Sequence, residues 1–204
     1  MVMLIAGKAS AQFSINAAYI SQQHTFNYKN GSLSDFSQED KWLKGGMLGV
    51  SLNAPLIGNI GIAPGAYLSY AQLKTTIEDS LQNITEPTTS SINLKIPFFL
   101  NYKIDIAVNS DIIIFGGPIF NVGLSTLANY KNVATQNDLH FDMGAAIGAG
   151  IQFYRFRVYV GYNVSLSNKD KKEFSLEDKE SIQKAWEGST LFAGLGVSLG
   201  SNDR

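Results

Sequence analysis

The chain contains no cysteine. Disulfides, thiolate metal sites and cysteine nucleophiles are excluded together, while several cellular compartments stay open. Imidazole is nearly as scarce, with only 2 histidines, His24 and His140, in 204 residues. An excess of charge of either sign is also missing, because 16 basic residues face 17 acidic ones. No overall field therefore invites nucleic acid or a polyanionic substrate. No apolar run approaches the ~20 residues of a membrane helix, so any membrane crossing must be made by strands. Phosphate-binding loops, paired-carboxylate motifs and nucleic-acid signatures do not occur, and no cofactor is expected.

What is abundant points to β-structure. The chain is 45% hydrophobic, which suits a folded protein, and carries 19 glycines, 12 phenylalanines and 9 tyrosines. Residues 91–104, SINLKIPFFLNYKI, give the clearest pattern. Ile92, Leu94, Ile96, Phe98, Leu100, Tyr102 and Ile104 alternate with Asn93, Lys95, Pro97, Phe99, Asn101 and Lys103. Alternate side chains of a strand point to opposite faces, so this run has one apolar face and one largely polar face.

Seven further runs alternate, the one from Ile112 less cleanly than the rest. They begin near Phe13, Trp42, Ile60, Ile112, Leu139, Phe156 and Ser189. In several of them glycine and polar residues share one face, as Asp142, Gly144, Ala146, Gly148, Gly150 and Gln152 do opposite Phe141, Met143, Ile147 and Ile151. Polar segments at residues 29–41, 78–90, 128–137 and 168–188 separate the runs, in turn with short turns around Gly58-Asn59, Val108-Asn109 and Tyr154-Arg155. The last polar segment is the most charged part of the chain, and its ESIQKAW core suggests a short amphipathic helix.

Long and short connections in strict alternation around eight strands are the order of an outer-membrane barrel, with short turns on the periplasmic side and long loops outside. The expected fold is all-β: an eight-stranded antiparallel up-and-down transmembrane β-barrel. A water-soluble lipocalin-like carrier of an apolar ligand uses the same alternation with the large apolar residues inside. Glycine on the inner face favours the membrane form, since a narrow barrel needs small residues within.

At the N-terminus, Met1 to Gly7 is apolar and Ala9-Ser10-Ala11 supplies small residues before Gln12. This reads as the tail of a secretory signal over residues 1–11, cleaved between Ala11 and Gln12, with the barrel domain at 12–204.

The motif Lys95-Ile96-Pro97-Phe98-Phe99-Leu100-Asn101-Tyr102, then Gly116-Gly117-Pro118, then Phe141-Asp142-Met143-Gly144 with Gly148-Ala149-Gly150, resembles the PorT-like outer-membrane β-barrel domain family. The resemblance covers residues 12–199 and implies a bacterial outer-membrane location. The family's named relative acts in secretion and gliding machinery, whereas nothing in these residues ties this chain to secretion. The chain also ends Leu-Gly-Ser-Asn-Asp-Arg, not in the terminal aromatic of typical barrel assembly signals.

The barrel pattern sends Tyr67, Asn93, Lys95, Asn101, Lys103, Asp142, Gln152, Arg157 and Tyr159 into the lumen as a polar cluster. Buried charge must be paired, and cations outnumber acids in this set, so water, loop carboxylates or a shifted register must supply partners. Pro64, Pro97 and Pro118 lie inside strands, where bulges or bends are expected to accommodate them. His140 precedes Asp142 by two positions on one face, but no serine is tied to the pair by sequence, and catalysis is not expected. The expected role is non-enzymatic, structural or surface-interacting through the long loops. A narrow small-solute channel is the alternative to that role, beside the soluble carrier. Membrane lipid and an extracellular or envelope protein are the expected partners of a monomer, with no nucleic acid.

Overall fold

The computed structural model describes residues 11–29, 36–74, 77–78, 84–85, 88–130, 133–137, 140–166 and 182–199. Eight long strands form: β1 (Gln12–Lys29), β2 (Phe36–Ile57), β3 (Ile60–Lys74), β4 (Thr88–Ala107), β5 (Ser110–Tyr130), β6 (His140–Phe153), β7 (Phe156–Ser165) and β8 (Ile182–Leu199). Each pairs antiparallel with its neighbours in sequence, and β8 pairs with β1, so the sheet closes on itself. Closure leaves no open edge, the condition under which strands can sit in hydrocarbon with every ladder satisfied. The fold is the eight-stranded antiparallel barrel that the alternation predicts. Two small additions lie beyond the barrel: Val133–Asn137 pairs with the end of β5, and Ile77–Glu78 pairs with Ile84–Thr85.

Two-residue turns join β2 to β3, β4 to β5 and β6 to β7. Each holds one residue at positive φ: Gly58 at 56°, Asn109 at 62° and Tyr154 at 52°. Glycine reaches that region without strain, and asparagine tolerates it better than most residues. These turns share one end of the barrel with the start of β1 and the end of β8, whose Ser198 N–H donates to the Arg155 carbonyl in the β6–β7 turn. The longer connections lie at the opposite end.

The ladders also show how far the strands are staggered. Paired positions lead one way from Asn16 through Gly49, Tyr67, Lys95 and Asn121 to Asp142. The other way they lead through Gly196 and Arg157 to Gln152. Asp142 and Gln152 stand ten residues apart on β6, the shear with which eight tilted strands close into a cylinder only wide enough for side chains.

The large apolar residues point out. Leu48 is 62% exposed, Leu100 56%, Ile147 64% and Leu195 62%, while Asn93, Lys95, Asn121 and Asn163 on the other face are 2% exposed or less. A water-soluble domain buries the first set and exposes the second, so the distribution is that of a barrel in lipid. Aromatics mark both ends of the outer face, with Phe13, Tyr102, Phe153 and Phe156 toward the short turns and Trp42, Tyr70 and Phe141 toward the other end.

Several element boundaries depart from the sequence expectation. β2 begins at Phe36, inside the segment expected as loop, and residues 36–41 pair with residues 24–29 of β1. β5 runs on to Tyr130 and is met by Val133–Asn137, both inside the expected third loop. The ESIQKAW helix does not form: Ile182 to Glu187 belong to β8 and pair with Tyr28 to His24. No bulge forms at the prolines, for no ladder changes register at Pro64, Pro97 or Pro118. The ladder instead skips pairs beside Pro64 and Pro118 and resumes in register, and the register shifts fall elsewhere, at Gln22/His24, Asn27/Tyr28, Pro55/Ile57, Ile92/Asn93 and Asp105/Ala107.

Candidate functional site

The interior is built in layers, and the central one is aromatic. Phe115 on β5 pairs with Gly148 on β6, Gly148 with Gly161 on β7, and Gly161 with Phe192 on β8. The row therefore reads large, none, none, large, and the two rings lean over the two glycines and stack, with centroids 6.4 Å apart and planes 30° off parallel. A methyl group at Gly148 would overlap the Phe115 ring, and one at Gly161 the Phe192 ring. Phe99 from β4 lies 5.2 Å from Phe115, and Tyr159 from β7 meets Phe115 and Phe192 edge-on at 6.4 and 6.3 Å. Four strands thus fill the bore with rings in the offset and edge-to-face geometries aromatic pairs prefer.

Toward the short turns lies a polar layer. Arg157 on β7 donates through Nη2 to Gln152 Oε1 at 3.0 Å and through both terminal nitrogens to Asn53 Oδ1 at 3.4 Å. Asn53 belongs to β2, three strands away around the wall, so this contact crosses the lumen. Asn53 Nδ2 donates in turn to Ser14 Oγ at 3.0 Å, Ser14 and Ser198 hydroxyls lie 3.1 Å apart, and Asn16 Nδ2 donates to Ser51 Oγ at 3.1 Å. The network joins β1, β2, β6, β7 and β8 across the floor of the barrel.

Toward the long connections, Ser165 Oγ donates to the Asp142 carboxylate at 2.8 and 3.0 Å, Asn93 Nδ2 donates to Ser91 Oγ at 3.0 Å, and Ser69 Oγ donates to the Asn93 carbonyl at 3.2 Å. The side-chain amides of Gln22, Asn121 and Asn163 are buried here with no hydrogen-bond partner among the described residues.

The structure separates the residues expected to form one cluster. Tyr67, Lys95, Asn101, Arg157 and Tyr159 line a single cavity of about 60 Å³. Gln152 joins them through Arg157. Asn93 and Asp142 sit in the upper layer with their own partners, and Lys103 lies near the short turns, where its backbone N–H donates to the Asn59 carbonyl. Gln12 opens β1 opposite Asn53, while residues 1–10 of the expected signal segment lie outside the described residues. His24 and His140 stand on β1 and β6, which are not neighbours, and their side chains lie outside the described set. Among the described residues no group of three or more His, Asp or Glu could hold a metal.

Sequence reasoning passed over Ser14, Asn16, Ser51, Asn53, Asn121 and Asn163, which are all buried on the inner wall. The signal was available, because Ser14 and Asn16 alternate with Phe13 and Ile15 just as Asn93 and Lys95 alternate with Ile92 and Leu94. What singled out charged and aromatic residues was chemistry, and small amides and hydroxyls carry less of it.

The barrel fold, as distinct from the contents of its lumen, has counterparts among solved structures. A major outer membrane protein from Thermus thermophilus is similar over 93% of this chain and 100% of its own, with a TM-score of 0.50 and 13% identity. Neisserial surface protein A is similar over 93% and 99%, with a TM-score of 0.46 and 14% identity. The outer membrane protease OmpT from Escherichia coli is similar over 92% and 97%, with a TM-score of 0.42 and 9% identity. At such identities the likeness speaks for fold alone. Comparison with curated protein sequences gives no match. The sequence profile of the outer membrane protein beta-barrel domain matches residues 8–171, a span that takes in β1 to β7. The chain belongs to the outer membrane protein beta-barrel domain family, and its place is the bacterial outer membrane.

Proposed function

We propose that this protein is a non-enzymatic, sealed barrel whose working surface is the set of long connections at the end opposite the two-residue turns. One observation carries the reading: the ring layer and the Arg157–Asn53 tie cross the bore and leave about 60 Å³. A carrier of an apolar ligand needs a cavity of ~300–1,000 Å³. A steady solute path needs continuous water, which Phe99, Phe115, Tyr159 and Phe192 interrupt.

Catalysis has no support in the described interior. A hydroxyl becomes a nucleophile when a base takes its proton, and the Ser165 hydroxyl instead donates straight to Asp142 with no room for an imidazole between them. Function in rigid barrels then falls to the connections, which loops on a scaffold commonly carry. The segment between β7 and β8 is the most charged of the chain and suits a polar surface of an envelope or extracellular protein. Lipid covers the outer face, and a closed sheet with no free edge suits a monomer. The narrower likeness to PorT-like barrels rests on motifs that fall on three consecutive strands, β4, β5 and β6, and one of them supplies Gly148, over which the Phe115 ring lies. A role in secretion does not follow from it.

Purified protein in planar lipid bilayers tests the sealed reading. The expected result is no steady conductance above the leak of the bare membrane. Stable, solute-selective current would put the channel in first place.

A further inference from the structure

The lipid-facing wall is not evenly filled. Tyr19 on β1 pairs with Gly46 on β2, and Gly46 with Tyr70 on β3, so one row of the outer face reads ring, nothing, ring. All three residues are exposed. A methyl group at Gly46 would meet nothing beyond its chain neighbours except the Ala18 carbonyl, at 3.8 Å. Unlike Gly148 and Gly161, this glycine makes room for no ring of the barrel itself. Two strand spacings separate the tyrosine backbones, ~10 Å, which, less the thickness of the rings, leaves the width of one hydrocarbon chain. The slot also runs down the wall. Ladder rows climb from β1 toward β6, so the strands lean, and the residue met straight below Gly46 along the bilayer normal is the exposed Ala17 of β1. Ala17 pairs with Leu48 on one side and Leu195 on the other, so a small floor between large walls is repeated there.

Above Gly46 the same wall turns polar. Lys44 is the next outward residue of β2, and its ladder partners are Ser21 of β1 and Gln72 of β3. The Tyr70 hydroxyl donates to Gln72 Oε1 at 3.3 Å, and Trp42 is exposed one outward position beyond Lys44. We propose that this slot binds a phosphorylated glycolipid of the outer leaflet, with one acyl chain over Gly46 and Ala17, the phosphate on the Lys44 ammonium, and the sugar against Gln72, Ser21 and the Trp42 ring. Charge and level set the class. A cation at the polar edge of an apolar slot matches a lipid phosphate, and Lys44 and Trp42 lie toward the long connections, the outer side of the membrane. A glycerol phospholipid offers the phosphate but no sugar ring for the amide and aromatic rim. The site lies on the wall below the long connections and does not depend on what those connections bind.

Full-length protein in detergent, titrated with bisphosphorylated lipid A and followed by native mass spectrometry, tests the site. One lipid A per barrel should bind ahead of any further adduct. Lys44→Gln should weaken that first binding about tenfold, the worth of one hydrogen bond to a charged group. Lipid A stripped of its phosphates should lose a similar factor on the unaltered protein. Gly46→Leu fills the slot from outside, where space is open, so it should fold with unchanged heat-modifiable mobility and lose the first binding. Lys44→Gln serves if it does not fold. Equal binding by the unaltered protein and Gly46→Leu would overturn the proposal, as would equal binding by Lys44→Gln. So would a preference for phosphatidylglycerol over lipid A, or adducts that accumulate with no saturable first site.

Discussion

Gly148 and Gly161 show how a single missing side chain organises this interior. Paired with each other and flanked by Phe115 and Phe192, they provide the space into which both rings fold. Gly148→Val should therefore act as overpacking and lower stability by about 1–3 kcal/mol, while Ala149→Val, on the lipid face of the same strand, should be close to neutral. Urea unfolding in lipid vesicles measures both. Adding Phe115→Ala to Gly148→Val should recover part of the loss, because the two sites share one volume; strictly additive costs would mean that the ring does not use the glycine's space. The composition of the inner wall was legible from parity, since Lys95, Asn101 and Gln152 could face nowhere else once Ile96, Leu100 and Ile151 faced lipid. Which of those residues meet was not legible. The Arg157–Asn53 contact depends on the shear of ten along β6, and shear belongs to the closed sheet and not to any one strand.

Strands β1, β2 and β8 run past the apolar pattern that reveals their lower parts. Residues 36–41 are polar and charged at nearly every position, yet they pair with residues 24–29 without a break in register. Alternation is imposed by the contrast between lipid and lumen, and a strand continuing beyond the hydrocarbon meets water on its outer side and no longer needs an apolar face. The same cause hid the start of β8. In ESIQKAW the helical spacing of Ile182 and Trp186 is real, but β1 offers a ladder to these residues, and β-pairing depends on such partners more than on intrinsic preference. The segment at 167–181 lies between the last paired residues of β7 and the first of β8. Shortening it should leave the barrel folded, with its heat-modifiable gel mobility unchanged, because no barrel ladder is removed. Whatever surface binding the protein has should be lost with it; binding that survives the deletion would place the working surface elsewhere.

Taken as one body, the molecule is an inside-out domain, apolar where it meets lipid and closed by rings and amides where a channel would hold water. Both halves of that statement are open to one experiment. The chain has no cysteine, so a single introduced cysteine carries a single nitroxide, and β4 can be scanned one residue at a time in reconstituted bilayers. Labels at Phe98, Leu100 and Tyr102 should collide freely with oxygen dissolved in the lipid and hardly at all with a water-soluble nickel complex. Labels at Asn93, Lys95 and Asn101 should be shielded from both, giving a period-two trace along the strand. Nickel reaching positions 98 to 102 on the apolar face would contradict the lipid-facing assignment, and nickel reaching 93, 95 and 101 would contradict the sealed lumen.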